Sequence, residues 1–569
     1  MEVDMLRTFT THRIRKQTEL SGRTWNFTPL GENVPSDSFP VVVPSCWESY
    51  PGFENYRGIA EYETSFEGEG NVALEFKGVA HQAWIFVDGM EVGSHYNAYT
   101  PFRILLKNIS RGNHRLVVRA DNSFQKEYAL NRPNDYMSYG GIIRGVVQED
   151  LKDVYIENLY VTPLEKTEEG WKTRFEVFIN DIAEDSGQFR LYTVVRDLMG
   201  NPVFQHWSEI RSEGKEQKVE ECFIIPGVED WMPDHPVLYE VEVRLCRDEE
   251  EIDDLIDRTG FRTVKVQGNR ICINGRAVRI KGFCRHEDYG LLGSALPGTV
   301  ADYDLRLLRD LGANAIRTAH YPNDEYFLDL CDERGILVWE EHHVRGGDER
   351  IMGNPKFEFY CEQVIEEMIR YHYNHPSIYI WGILNECASD TEMGRLCYEK
   401  QYSLIRKLDR SRLCSSATCK YETDICLDLP DVVSWNMYPG WYDDKEPAER
   451  LEELYRWSQA EGRGKGKPFL ITEIGAGAIY GYHSHTYDKW TEEYQSYLLE
   501  KQVNAVMADR KCSGLYIWQF ADVRVSREWF GSRPRSYNNK GITDEYRRRK
   551  LAYETVKRIY RGQTDYWDE

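Results

Sequence analysis

The 569-residue chain carries 94 Asp and Glu against 71 Lys and Arg, a formal net charge of −23, and 41% of its residues are hydrophobic. That length exceeds what one hydrophobic core usually supports, so several domains are expected, three by our reading. So acidic a chain lacks the basic footprint that nucleic acid or an anionic membrane requires, and no run of about 18 apolar residues offers a spanning helix, which excludes both as partners.

The N-terminus, Met1 to Leu20, is polar and charged without an apolar leader segment. The 13 cysteines are odd in number and scattered without a Cys-x-x-Cys pair. They read as free thiols of a reducing compartment, so a cytoplasmic protein without a zinc cluster is expected.

From about residue 20 to 164 short alternating strands recur, such as Val72 to Phe76 and Ala83 to Val87, the latter closed by the turn Asp88-Gly89. This predicts a first β-sandwich, residues 1–164. A second alternating stretch contains Arg174 to Ile179 and Tyr239 to Val243 with the acidic run Asp248 to Asp254. It predicts an immunoglobulin-like sandwich over 165–266.

Beyond about 267 amphipathic helices such as Asp302 to Leu311 and Tyr494 to Arg510 alternate with short apolar strands, and Asp544 to Tyr560 reads as a closing helix. Such βα repetition predicts a parallel (β/α)8 barrel over 267–569. Within it the apolar run Tyr379 to Leu384 ends abruptly in Asn385-Glu386, and Pro468 to Thr472 ends in Glu473. Carboxylates at the carboxyl ends of barrel strands stand at the active-site face, and a pair of them suits glycoside hydrolysis, which needs a proton donor and a second carboxylate. The adjacent His342 and His343 do not form a metal site on this reading, because neighbouring residues of a strand face opposite sides. His483 and His485 lack further ligands nearby in sequence.

Asn385-Glu386 with Glu473 resembles the catalytic pair of glycoside hydrolase family 2, and the likeness extends along the chain. Gly282 to Asp288, which includes His286, Asn314 to Pro322, and Trp518 to Asp522 resemble that family's barrel strands. Val43-Pro44, Trp47, Tyr56 to Gly58 and Asp121-Asn122 resemble its jelly-roll domain. Within the family the likeness is greatest to the β-glucuronidases. The resemblance implies a retaining exo-acting β-glucuronidase with Glu473 as nucleophile, Glu386 as acid/base and Asn385 on the sugar's 2-hydroxyl. It implies neither a catalytic metal nor an organic cofactor.

In the basic segment Arg533 to Gly541, which includes Arg535, Asn538 and Lys540 match the Asn-x-Lys pair that grips a uronate C6 carboxylate in those relatives. Asn134 to Arg144 resembles their loop reaching into the site, which would put Asp135 on the C4 hydroxyl. Asn436, Tyr438 and Trp441 look like further pocket residues, and Trp518 like a platform under the ring. One departure follows Glu341, where His342 to Gly347 replaces apolar and aromatic residues. An arginine there, Arg345, could bond an axial C4 hydroxyl, so a galacturonidase or a dual enzyme stands as the alternative. A neutral-sugar galactosidase of the family and a non-catalytic carbohydrate-binding protein rank below it. The short stretch from Arg345 to Phe359 predicts an open aglycone side that admits small or oligosaccharide uronides, and relatives suggest a homo-oligomer, by analogy a tetramer.

Overall fold

The computed structural model describes residues 11–567 except 32–33, 35–36, 183–186, 212–213, 215 and 461–462. The first ten residues of the charged N-terminal stretch therefore lie outside the described residues. No helix among the described residues is long and apolar enough to cross a membrane.

Two long antiparallel strands, Ile59–Phe76 and Phe102–Asp121, organise the first sandwich. Their register shifts at Gly68 and Gly70, and Gly70 adopts a left-handed φ of 71° that a side chain would resist. The pair thereby bends and serves two layers. On one side of the bend the strands are flanked by Thr24–Pro29 and Gln82–Val87, on the other by Val146–Leu151. Alternate residues, among them Trp25, Phe27, Tyr62, Leu74, Ile85 and Val118, fill the space between.

Seven strands form the second sandwich. Val154–Thr167, Gly170–Asp181 and Gln217–Ile225 make one sheet, and Gln188–Asp197, Pro202–Arg211, Tyr239–Arg247 and Glu250–Thr259 the other. The break expected after residue 164 falls inside a strand, because Val154–Thr167 pairs along its length with Gly170–Asp181. Its inward side chains Ile156, Leu159 and Val161 belong to the second core, with Trp171 and Phe175.

The barrel strands are β1 (Ile280–Cys284), β2 (Ala315–Arg317), β3 (Leu337–Glu341), β4 (Ile378–Ile383), β5 (Leu413–Thr418), β6 (Val433–Asn436), β7 (Phe469–Ile474) and β8 (Cys512–Ile517). All pairings are parallel, and β8 returns to β1 to close the ring. Helices including Gly298–Leu311, Phe357–His372 and Glu492–Ala508 surround it. The last helix, Leu551–Arg561, starts later than the sequence suggested, because Asp544 is held in a turn by Arg548. A hairpin, Val264–Gln267 with Arg270–Ile273, places Ile271 and Ile273 against the barrel's own core at its amino-terminal end. The carboxyl-terminal end is left for chemistry.

Candidate active site

Polar side chains converge where the barrel strands end. At the end of β2, Arg317 is fully buried and bonds the side chains of Glu341, Glu473 and Asn385. Its Nε and Nη2 donate to the two oxygens of Glu341 at 2.9 and 3.0 Å, Nη1 donates to Glu473 Oε1 at 2.9 Å, and Nη2 donates to Asn385 Oδ1 at 2.7 Å. The second oxygen of Glu473 accepts from the Tyr438 hydroxyl at 2.6 Å. Asn436, at the end of β6, donates through Nδ2 to Asn385 Oδ1 at 3.1 Å and Glu386 Oε1 at 3.0 Å. One asparagine thus ties Glu386 into the network that holds Glu473.

The turn that presents the acid is strained. Leu384 and Glu386 have left-handed φ values of 41° and 53°, a conformation that costs roughly 1–3 kcal/mol for residues with side chains. The main chain over-determines it: Glu386 N donates to Ala417 O, and Tyr398 donates its hydroxyl to Leu384 O. Asn385 Nδ2 is buried and unpartnered, a donor free for a bound hydroxyl.

Burial, and then the charge of Glu386, push the Glu473 carboxyl up to about 7, against the smaller opposing pull of Arg317 and the Tyr438 hydrogen bond. The negative charge of Glu386 thus resists a second one on Glu473. Arg317 and the Tyr438 hydroxyl, each bonded to one oxygen of Glu473, oppose that rise and favour its ionised form. His320, bonded through Nδ1 to Glu341 at 2.7 Å, and His286 are both held neutral, chiefly by burial.

The first sandwich contributes Asp135. Its carboxylate receives Arg533 Nη2 at 3.1 Å and Asn538 Nδ2 at 3.2 Å through one oxygen, and Arg345 stands 3.3 Å from the other. Burial opposes the charge, but Arg345, Arg533 and Lys540 more than reverse it and hold Asp135 below the usual carboxylate range. Arg345 also reaches Glu386 Oε2 at 3.5 Å, so one guanidinium lies between the sandwich's acid and the barrel's. Lys540 is 4% exposed, with its ammonium 5.0–5.8 Å from the ring centres of Tyr438, Trp441 and Tyr442. It donates to the Tyr442 hydroxyl at 2.8 Å, and no ion pair among the described residues includes it.

The structure thus brings Asp135, Arg345, Asn385, Glu386, Asn436, Tyr438, Glu473, Asn538 and Lys540 together. Trp518 is buried, its ring stacked on His320 at 5.0 Å and set edge-on to His286 at 5.5 Å, so the expected platform is packed into the site's wall. His286 lies in the same wall, with Nδ1 3.3 Å from the Tyr321 hydroxyl. Arg535 turns away: it has a left-handed φ of 61°, pairs with Glu545 and is about a third exposed, while its neighbour Arg533 takes the place at Asp135. His342 bonds Gln401 at 2.9 Å, and His343 faces Tyr99. His483 pairs with Glu493. Sequence reasoning did not single out Arg317, Glu341, His320, Arg533 or Tyr442. Arg317 and His320 sit in Asn314 to Pro322, a segment whose family likeness was recognised, and a charge at a strand end was the available signal.

Residues 264–563 match the family described as Glycosyl hydrolases family 2, TIM barrel domain, and residues 154–262 match Glycosyl hydrolases family 2. A β-glucuronidase of Streptococcus agalactiae is 27% identical, the match covering 93% of this chain and 96% of its own. One from Paenibacillus borealis is 26% identical over 93% and 91% of the two chains. The solved structure of a β-galacturonidase of the same family from Eisenbergiella tayi, bound to galacturonate, is 53% identical with a TM-score of 0.96, covering 99% of this chain and 100% of its own. With the barrel match spanning more than half its length, the chain belongs to glycoside hydrolase family 2 and is a glycosyl hydrolase.

Proposed function

We propose that this chain is a retaining, exo-acting β-uronidase that works by double displacement, with β-D-galacturonides its better substrates and β-D-glucuronides also accepted. The uronate reading is carried by Lys540, a buried cation that makes no direct ion pair among the described residues, beside Asn538. A C6 carboxylate would supply the missing anion. Glu473, whose two oxygens accept from Arg317 and Tyr438, attacks the anomeric carbon, and Glu386 protonates the leaving oxygen. In the second step Glu386 takes a proton from water, which releases the sugar from its ester to Glu473.

Arg345 favours the galacturonide. The carboxylate of Asp135 accepts from Arg533 and Asn538 through one oxygen, and the Arg345 guanidinium stands 3.3 Å from the other. Arg345 has donors to offer an axial C4 hydroxyl, and the 53% identical solved structure is named a β-galacturonidase. Hydrolysis of paired p-nitrophenyl β-D-galacturonide, glucuronide, galactoside and glucoside tests the reading. Arg345→Ala is expected to lower kcat/KM on the galacturonide about 10- to 100-fold more than on the glucuronide. Equal losses would remove the epimer assignment, and turnover of neutral sugars alone would remove the uronate reading. The proposal includes a cytoplasmic homo-oligomer, whose mass light scattering would give.

The carboxyl pair predicts a pH signature. With Glu473 held up at about 7, kcat/KM falls on the acid side as its proton returns. Replacing Glu386 by Gln removes the like charge and makes the ionised form of Glu473 easier to reach. The acid limb, followed with an activated aryl uronide, is therefore expected to move to lower pH in Glu386→Gln. A limb that stays or moves up would show that the two carboxyls do not share a field.

A further inference from the structure

The segment that carries Asp135 grips Arg345 at a second point. Three residues before Asp135, the guanidinium of Arg132 donates through Nη2 to Arg345 O at 2.5 Å and Gly346 O at 2.7 Å. Asp135 meanwhile meets the other end of Arg345, its guanidinium, at 3.3 Å. The main chain and the side chain of Arg345 are thus both held from the first sandwich, across a gap of over two hundred positions in sequence. Arg132 is partly buried, and no ion pair among the described residues includes it. The two carbonyls are what its charge has been given to. Gly346 suits that approach: its φ is 59°, and a Cβ there would lie 3.4 Å from Arg132 Nη2. On the barrel side the strand-like bridge between Arg345 and Asn385 completes the fixing, with Gly346 N donating to Asn385 O at 2.7 Å and Asn385 N to Val344 O at 3.0 Å.

We infer that Arg132 is a positioning residue for C4 selection: it holds the main chain of Arg345 and Gly346 and so sets where the Arg345 guanidinium stands against the sugar. Arg132 touches no substrate atom in this account. The inference rests on the proposed uronidase reading, and specifically on Arg345 as the reader of C4. Without Arg132 the loop from Arg345 to Gly347 keeps its bridge to Asn385 but loses its tether to the sandwich. Arg345 then samples positions in which its donors no longer favour an axial hydroxyl.

The test is the ratio of kcat/KM on p-nitrophenyl β-D-galacturonide to that on the glucuronide, measured for wild type, Arg132→Ala, Arg132→Lys, Arg345→Ala and the Arg132→Ala/Arg345→Ala double variant. Arg132→Ala is expected to move the ratio about 10-fold in the same direction as Arg345→Ala, and the double variant no further than Arg345→Ala alone. Arg132→Lys, able to reach one of the two carbonyls, is expected to restore part of the shift. A merely structural role would lower both activities together and leave the ratio unchanged. Equal loss on both epimers in Arg132→Ala, with a shifted ratio in Arg345→Ala, overturns the inference alone. An unchanged ratio in Arg345→Ala overturns the reading of C4 and the inference with it. Should the alanine variant fail to fold, Arg132→Lys and Arg132→Gln decide the question by the same ratio.

Discussion

Glu473→Gln is expected to lose about 10⁴- to 10⁶-fold in kcat on a uronide and at the same time to gain stability at alkaline pH. The loss follows from the chemistry: an amide cannot form the sugar ester that double displacement requires. The gain follows from linkage. Glu473 in the folded chain is pushed up to about 7 from an ordinary value near 4.5. A carboxyl raised on folding contributes stability that is whole below its unfolded value and is lost as pH climbs through the window from about 4.5 to 7. By pH 8 the ionised, buried Glu473 costs on the order of 3 kcal/mol, and a neutral amide of the same shape avoids most of that. Arg317 would keep both oxygens of Glu341 and an amide oxygen at position 473, so the fold loses little. Thermal unfolding of both proteins at pH 5 and pH 8 checks the sign: the advantage of Glu473→Gln should be present at pH 8 and shrink toward pH 5. A variant less stable than wild type at pH 8 would mean that the Arg317 pair outweighs the burial of the charge. For the chemical role, azide should restore turnover to Glu473→Gly with inversion at the anomeric carbon, and it should not do so for a variant whose site has collapsed.

How far the sequence revealed this arrangement depends on the kind of residue. The barrel and its two acids were legible because β4 and β7 are uninterrupted apolar runs that end on a charge, a pattern buried parallel strands impose. Lys540 and Asn538 were legible only through family likeness, since Asn-Asn-Lys-Gly alone reads as a turn. What stayed hidden is what depends on conformation. Arg533 and Arg535 are indistinguishable by pattern, yet the left-handed φ of Arg535 sends it to Glu545 and leaves Asp135 to Arg533. The stacking of the Trp518 ring on His320 is likewise a matter of conformation that no pattern announces. The strand Val154–Thr167 alternates like the strands on either side of it, so its sheet was decided by pairing partners far along the chain. Arg317 presents the hardest case: a fully buried guanidinium is intelligible only once Glu341, Glu473 and Asn385 are seen around it.

Lys540→Ala is the second variant with a large expected effect, and its value lies in being selective. The Lys540 ammonium has the Tyr442 hydroxyl at 2.8 Å and three aromatic faces, a setting that partly replaces hydration without neutralising the charge. A uronate entering this site forms a buried ion pair with a preorganised cation. Breaking such a pair by removing one partner costs about 3–5 kcal/mol, so kcat/KM on galacturonide and glucuronide should each fall roughly 10²- to 10⁴-fold. A β-galactoside presents a hydroxymethyl group to the same cation and forfeits none of that energy when the cation goes, so its turnover should be unchanged or rise. Asn538→Ala should behave differently. Its amide is already committed to Asp135 at 3.2 Å, and its loss loosens Asp135 as well as the carboxylate grip. That variant should therefore impair uronides while also disturbing the galacturonide-to-glucuronide ratio, whereas Lys540→Ala should leave the ratio alone. Equal losses of Lys540→Ala on uronides and galactosides would assign Lys540 to the packing of the Tyr438, Trp441 and Tyr442 wall. The selectivity for an acidic sugar would then have to come from Arg345 and Arg533, the remaining cations around Asp135.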